Sequence, residues 1–260
     1  MRIALGIEYD GSHYRGWQAQ QHDRCTVQET LERALSKVAD HQVQVVCGGR
    51  TDAGVHASGQ VVHFDTTAER PLRAWMFGAN ANMPGDVVVR WAQPAADDFH
   101  ARFSALRRAY RYVILNRQVR PALLAHRVSY DYRSLDTRRM VEAAQHLLGE
   151  HDFSSYRAVG CQAKNPVRTL YRLEVQRAGD FILLDVEANG FLHHMVRNIA
   201  GVLMSIGAGE RGTAWSREVL AARDRNVGGV TASPYGLYLV RIDYPERFGI
   251  PCLPPPALVW

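Results

Sequence analysis

Two successive stretches of this chain repeat one order of hydrophobic periods, and that repetition constrains the fold more than composition does. In the first, alternating apolar residues from Ile3 to Tyr9 predict a strand. Thr26 and Glu29 then open a helix as a capping-box pair, and its stripe is Val27, Leu31, Ala34, Leu35 and Val38. Strands at Val43 to Cys47 and Gln60 to Phe64, a helical stretch near Leu72 to Ala81 and a strand at Val87 to Trp91 complete the order βαββαβ. The second stretch begins with a strand at Ala109 to Leu115 and a helix from Asp136 to Leu148, ended by Gly149. Strands near Thr169 to Val175 and Phe181 to Ala188 flank a turn at Arg177 to Asp180. A helix from Leu192 to Ile206 and a strand at Leu237 to Ile242 close the same order, with a short extra helix around Ser216 to Ala222.

The economical reading is an α+β protein of two ferredoxin-like (βαββαβ) subdomains, residues 1–105 and 106–260. Their strands are expected to share a broad, mainly antiparallel sheet with helices on one side and a cleft on the other. A sheet face with aromatics and a basic rim is how RNA-recognition modules of this topology hold bases, so an RNA-binding cleft is expected. The first subdomain carries the Asp52 loop and the second completes the cleft. At 260 residues, 47% of them hydrophobic, the chain is long enough for either half to bury a core. No apolar run approaches the roughly 20 residues that span a bilayer. The opening MRIALGIEYDG turns acidic too soon for a secretory signal, so a cytoplasmic protein is expected. Cys25, Cys47, Cys161 and Cys252 are too scattered for a disulfide framework or a paired metal motif and are expected reduced.

The net charge of +5 is unevenly placed. Between Phe99 and Tyr130 there is no Asp or Glu, while Arg102, Arg107, Arg108, Arg111, Arg117, Arg120 and Arg127 all fall there. Interleaved with Phe103, Tyr110 and Tyr112, they form the pattern of a polyanion footprint with stacking surfaces. Taken alone, a solvated basic face is the commoner meaning of such a run.

The segment GGRTDAGVHASGQVVHF, Gly48 to Phe64, places one carboxylate, Asp52, in a glycine-flanked loop between two strands. Asp in such a loop usually serves the turn. Arg50, two residues away, offers another role, because a guanidinium that pairs with the carboxylate keeps it ionised and able to act as a nucleophile. His193 and His194 are adjacent, so on a helix they diverge by about 100° and make a poor metal pair. Trp17 and Gln18 either meet a ligand or pack the first loop, and Asp10 with Gly11 reads as a turn.

GRTDAGVHASGQVVHF resembles the signature of the TruA family of tRNA pseudouridine synthases. The resemblance extends through YDGSHYRGWQAQ, TVQETLERAL, NMPGDV, FHARFSALRRAYRY, NGFLHHMVRNIAG and GLYL, in that order along nearly the whole chain. It implies isomerisation of uridine to pseudouridine at positions 38, 39 and 40 of the tRNA anticodon stem-loop, with no metal and no cofactor. By the same match Asp52 is the nucleophile, Arg50 holds it and fills the space of the flipped base, Tyr110 stacks on that base and Leu237 lines its pocket. Arg102, Arg107, Arg108 and Arg197 are then expected to contact RNA, and a homodimer is implied. The rival readings are a non-catalytic module that binds structured RNA and a base-excising hydrolase. The first gains nothing from a carboxylate beside phosphate ligands, and the second commonly needs two carboxylates.

Overall fold

Strand β1 (Arg2–Tyr9) is apolar at nearly every position because both of its faces are covered. It pairs antiparallel with β3 (His56–Asp65) on one side and with β4 (Val87–Ala95) on the other. The register sets Ile3 opposite Phe64 and Leu5 opposite Val62 on one face, and the Phe64 ring meets Trp75 edge-on at 5.1 Å. Ala4, opposite His63, lies on the other face in a cluster with Val61, Phe99, Ala101 and Phe248. Trp75 belongs to the helical stretch Ala74–Gly78, which continues into α2 (Ala79–Ala81). The coordinates are a computed structural model, which describes residues 1–20 and 25–253.

Helix α1 (Val27–Ala39) starts as expected, the Thr26 hydroxyl accepting from the Glu29 amide at 3.3 Å, and it buries Val27, Leu31, Ala34 and Leu35. The strand expected from Val43 shrinks to two residues, β2 (Val46–Cys47). Side chains of α1 take its backbone donors instead: the Val43 amide donates to Ser36 Oγ at 2.9 Å and the Val45 amide to Glu32 Oε1 at 2.9 Å. Groups satisfied this way have no need of a neighbouring strand.

In the second stretch β5 (Arg107–Asn116) pairs antiparallel with β9 (Phe181–Ala188), β9 with β8 (Val167–Ala178), and β8 with β7 (Gly149–Asp152). A three-residue strand, β6 (Ser129–Asp131), runs parallel to β5. Helix α3 (Thr137–Gln145) is capped by Asp136, which accepts from the Arg138 amide at 2.8 Å. Helix α4 begins at Met195 rather than Leu192, because His194 takes the left-handed conformation at φ +63° and cannot continue a helix. Helix α5 (Trp215–Ala222) follows.

Strand β10 (Leu237–Asp243) runs parallel to β3, with Tyr238 opposite His56 and Leu239 opposite Ala57. The chain thus forms two compact units, Met1–Leu106 joined by the described residues from Tyr238 onward, and Arg107–Leu237. Each is α+β and mainly antiparallel, with the order β4-β1-β3-β10 in the first and β5-β9-β8-β7 in the second. Among the described residues no helix is long and apolar enough to cross a membrane.

Candidate active site

The Asp52 loop is fixed almost entirely by backbone bonds. Its neighbour Thr51 is buried, with Oγ1 2.8 Å from the Tyr9 hydroxyl, and the Thr51 carbonyl accepts from the Trp17 amide at 3.0 Å. The Gly54 amide donates to Tyr14 O at 3.3 Å, and the turn itself closes when the Val55 amide donates to Asp52 O at 3.2 Å. That last bond runs backbone to backbone. Asp52 is left half-buried at the bend.

The YDGSHYRGW segment serves as the wall behind this loop. Gly16 has φ +96°, and a Cβ there would stand 2.8 Å from Thr51 O and 3.1 Å from the Asp52 carbonyl carbon. Only glycine permits that approach. Trp17 is buried against Tyr9, ring centroids 5.9 Å apart, so it packs the first loop rather than meeting a ligand. A Cβ on Gly11 would lie 1.9 Å from Val55 O, which explains the glycine after Asp10. Fully buried Gln60 completes the frame: its Oε1 accepts from the Gly49 amide at 3.1 Å and its Nε2 donates to Gly49 O at 2.5 Å, next to Arg50. Arg50 is exposed two residues before Asp52.

In the second unit Tyr110 is buried near the middle of β5, opposite Val186, and its ring meets Phe191 edge-on at 5.0 Å. Leu237 is buried at the start of β10. Arg197 on α4 is half-buried and its Nε donates to Ala232 O at 2.8 Å, which ties the strand-leading loop to the helix. Arg107 pairs with Glu187 at 2.8 Å and lies over the Tyr171 ring at 4.3 Å, and Arg108 donates to Asn189 O at 3.2 Å. Arg111 makes a two-pronged bond to Asp185 at 2.7 and 2.8 Å. A segment free of acids in sequence is thus not free of them in space, since β9 brings Glu187 and Asp185 alongside β5.

The profile of the family described as tRNA pseudouridine synthase matches residues 6–104 and 143–245. The chain is 63% identical over 250 residues to "tRNA pseudouridine synthase A" of Pseudomonas aeruginosa, covering 96% of this chain and 88% of that one. To the protein of the same name from Nitrosococcus oceani it is 60% identical over 260 residues, with both chains fully covered. This chain belongs to the tRNA pseudouridine synthase family.

It is accordingly an isomerase that acts on tRNA. A solved Cbf5–Nop10–Gar1 complex is also similar, over 91% of this chain and 48% of the other, at 11% identity and a TM-score of 0.40, a likeness too weak to argue from. Sequence reasoning missed two residues that frame the synthase's Asp52 loop, His56 and Gln60. Both are polar positions buried within the apolar strand β3. That contrast with their neighbours was the available signal, because buried polar groups in a strand must find partners nearby.

Proposed function

We propose that this synthase converts uridine to pseudouridine at positions 38, 39 and 40 of the tRNA anticodon stem-loop, with Asp52 as its nucleophile. The observation that carries this reading is a half-buried carboxylate on a loop held by backbone bonds from two neighbouring segments, with the exposed guanidinium of Arg50 two residues away. A uridine extruded from the stem-loop presents its glycosidic bond to such a group. Asp52 attacks either the ribose anomeric carbon or the uracil ring, the N1 to C1′ bond breaks, the base turns, C5 bonds to C1′, and the bond from the Asp52 carboxylate to the carbon it attacked breaks to release it. The proton lost from C5 is matched by one gained at N1, so the product has the mass of the substrate and neither metal nor cofactor is consumed.

Arg50 occupies the space the flipped base leaves, Tyr110 stacks on the base and Leu237 lines its pocket. Arg102, Arg107, Arg108 and Arg197 contribute to RNA binding. The enzyme acts as a homodimer in the cytoplasm, two copies covering one tRNA.

The test uses unmodified tRNA with uridines in the anticodon arm, treated with wild type or Asp52→Asn and mapped by carbodiimide adduct and primer extension. Wild type places pseudouridine at the three positions, and Asp52→Asn binds the tRNA without modifying it. Modification by Asp52→Asn at the wild-type rate would remove Asp52 from the chemistry.

A further inference from the structure

Phe103 is 76% exposed, yet the turn that carries it is anchored on both sides. Phe99 and Ala101 are fully buried on the near side of the turn. Arg2 Nη1 donates to Phe99 O at 2.8 Å, the Ala101 amide donates to His63 Nδ1 at 3.1 Å, and the Tyr244 hydroxyl donates to Ala101 O at 2.7 Å. On the far side the Leu106 amide donates to Asp243 O at 2.8 Å. Within the turn the Ser104 amide donates to His100 O at 2.8 Å, and the His100 amide donates to Ser104 Oγ at 3.0 Å.

The ring itself is also held. His100 Nδ1 accepts from the Arg102 amide at 3.2 Å and the Phe103 amide at 3.1 Å, which fixes the imidazole. The Phe103 ring stacks on that imidazole at 4.3 Å with 28° between planes, and the Arg102 guanidinium stands 5.5 Å from its centroid. Burial and the Arg2 charge hold the His100 imidazole below its ordinary value, so the platform is neutral beside a permanent cation. The nearest acid upstream, Asp98, pairs with Arg247 at 3.1 Å.

An exposed aromatic gains nothing for folding. One fixed beforehand in a single orientation, with a guanidinium beside it, spares a ligand the ordering cost of stacking. We propose that Phe103 is a stacking platform for an unpaired nucleobase of the RNA substrate, with Arg102 serving the adjoining phosphate. This rests on the reading of tRNA as substrate and adds a contact at a residue not assigned to the reaction. An imidazole and a guanidinium stand against the ring, a polar and cationic setting that favours a base over a protein surface.

The experiment compares wild type with Phe103→Ala, Phe103→Leu and Phe103→Trp by equilibrium binding of unmodified tRNA, single-turnover pseudouridine formation at saturating tRNA, and sedimentation. Phe103→Ala and Phe103→Leu weaken binding by about five- to a hundredfold, as loss of one stacked base does. They leave the saturated rate within about threefold and the melting temperature unchanged, since the side chain is solvated. Phe103→Trp restores binding. Wild-type affinity in Phe103→Leu overturns the proposal, because an apolar contact would then suffice. A change of association state in Phe103→Ala with unchanged tRNA affinity also overturns it and assigns the ring to a contact between copies of the chain. If wild type neither binds nor modifies tRNA, the functional reading falls and takes this one with it. If wild type modifies tRNA and the variants match it, the platform alone falls.

Discussion

Nδ1 of buried His56 lies 3.1 Å from the Gly11 amide and 3.1 Å from Asp10 Oδ1, so one nitrogen joins the turn leaving β1 to the first residue of β3. Unprotonated, it accepts from Gly11. Protonated at Nδ1, it donates to Asp10. Burial would push the Asp10 carboxyl up, but hydrogen bonds from His56 and Ser12 hold it well below the usual carboxylate range. Either way the contact sets the position of Val55, whose amide closes the Asp52 turn.

His56→Ala should therefore leave the buried Gly11 amide without its acceptor, at a cost of about 1–3 kcal/mol. With the loop loosened, the single-turnover rate should drop about tenfold or more while tRNA affinity stays within about threefold. His56→Asn, which offers an acceptor near the same place, should recover most of both losses. Urea unfolding and single-turnover assays on the three proteins check this, and an unchanged rate in His56→Ala would show that the loop does not depend on the contact.

Stability should depend on His63 below neutrality. Burial first, then the charges of Arg2 and His100, bring its imidazole from 6.5 down to about 4, with Asp65 opposing. Its Nδ1 already accepts from the Ala101 amide, which requires the neutral ring. The unfolded chain binds a proton here that the folded chain refuses, so the contribution is complete above about pH 6.5 and is lost as pH falls toward 4. The amount is about 3 kcal/mol. His63→Asn keeps an acceptor for Ala101 and should flatten the difference between unfolding free energies at pH 7 and pH 5. An equal slope in wild type and variant would assign the acid sensitivity to other groups.

The salt dependence of tRNA binding should separate arginines that sequence alone cannot. Arg111 is committed to Asp185 by two bonds, whereas Arg102 is exposed at the tip of its turn. Arg102→Gln should reduce the slope of log affinity against log salt by about 1, the signature of one lost phosphate contact. Arg111→Gln should leave the slope unchanged and lower the urea midpoint instead, since Asp185 loses its two-pronged bond and retains the longer Arg172 contact at 3.9 Å. Titrations at four or five salt concentrations distinguish the two.

The sequence carried the order of elements and the glycine-framed Asp52 loop, because period and turn chemistry are local properties of the chain. It could not carry the pairing of Arg107 with Glu187 and of Arg111 with Asp185, which depends on β9 lying beside β5 across about 75 residues of chain. The shortening of β2 was hidden for a similar reason: Ser36 and Glu32 read as ordinary helix residues until their side chains meet the backbone of Val43 and Val45. Strands as short as β6 and β7 leave too few residues for any alternation to register. His56 and Gln60 were visible as letters, but their work is defined by what faces them.

Tyr110 and Tyr112 sit two residues apart on β5, hence on one face, and their surroundings assign them different work. Tyr112 is fully buried, burial pushes its phenol up, and its hydroxyl donates to Ser233 O at 2.8 Å, anchoring the segment that leads into β10. Tyr112→Phe should cost about 1 kcal/mol for the lost hydrogen bond and leave turnover within about twofold. Tyr110 is buried on the same face and its ring meets Phe191 at 5.0 Å in a T-shaped pair. Under the proposed role Tyr110→Ala should lower the single-turnover rate about a hundredfold or more, and Tyr110→Phe should keep the stack and lose only what the hydroxyl contributes. Rapid-quench assays with urea unfolding on all three variants decide between them. If Tyr112→Phe loses turnover and Tyr110→Ala does not, the base-stacking role moves from Tyr110 and the matching of the AYRY segment to the site must be redrawn.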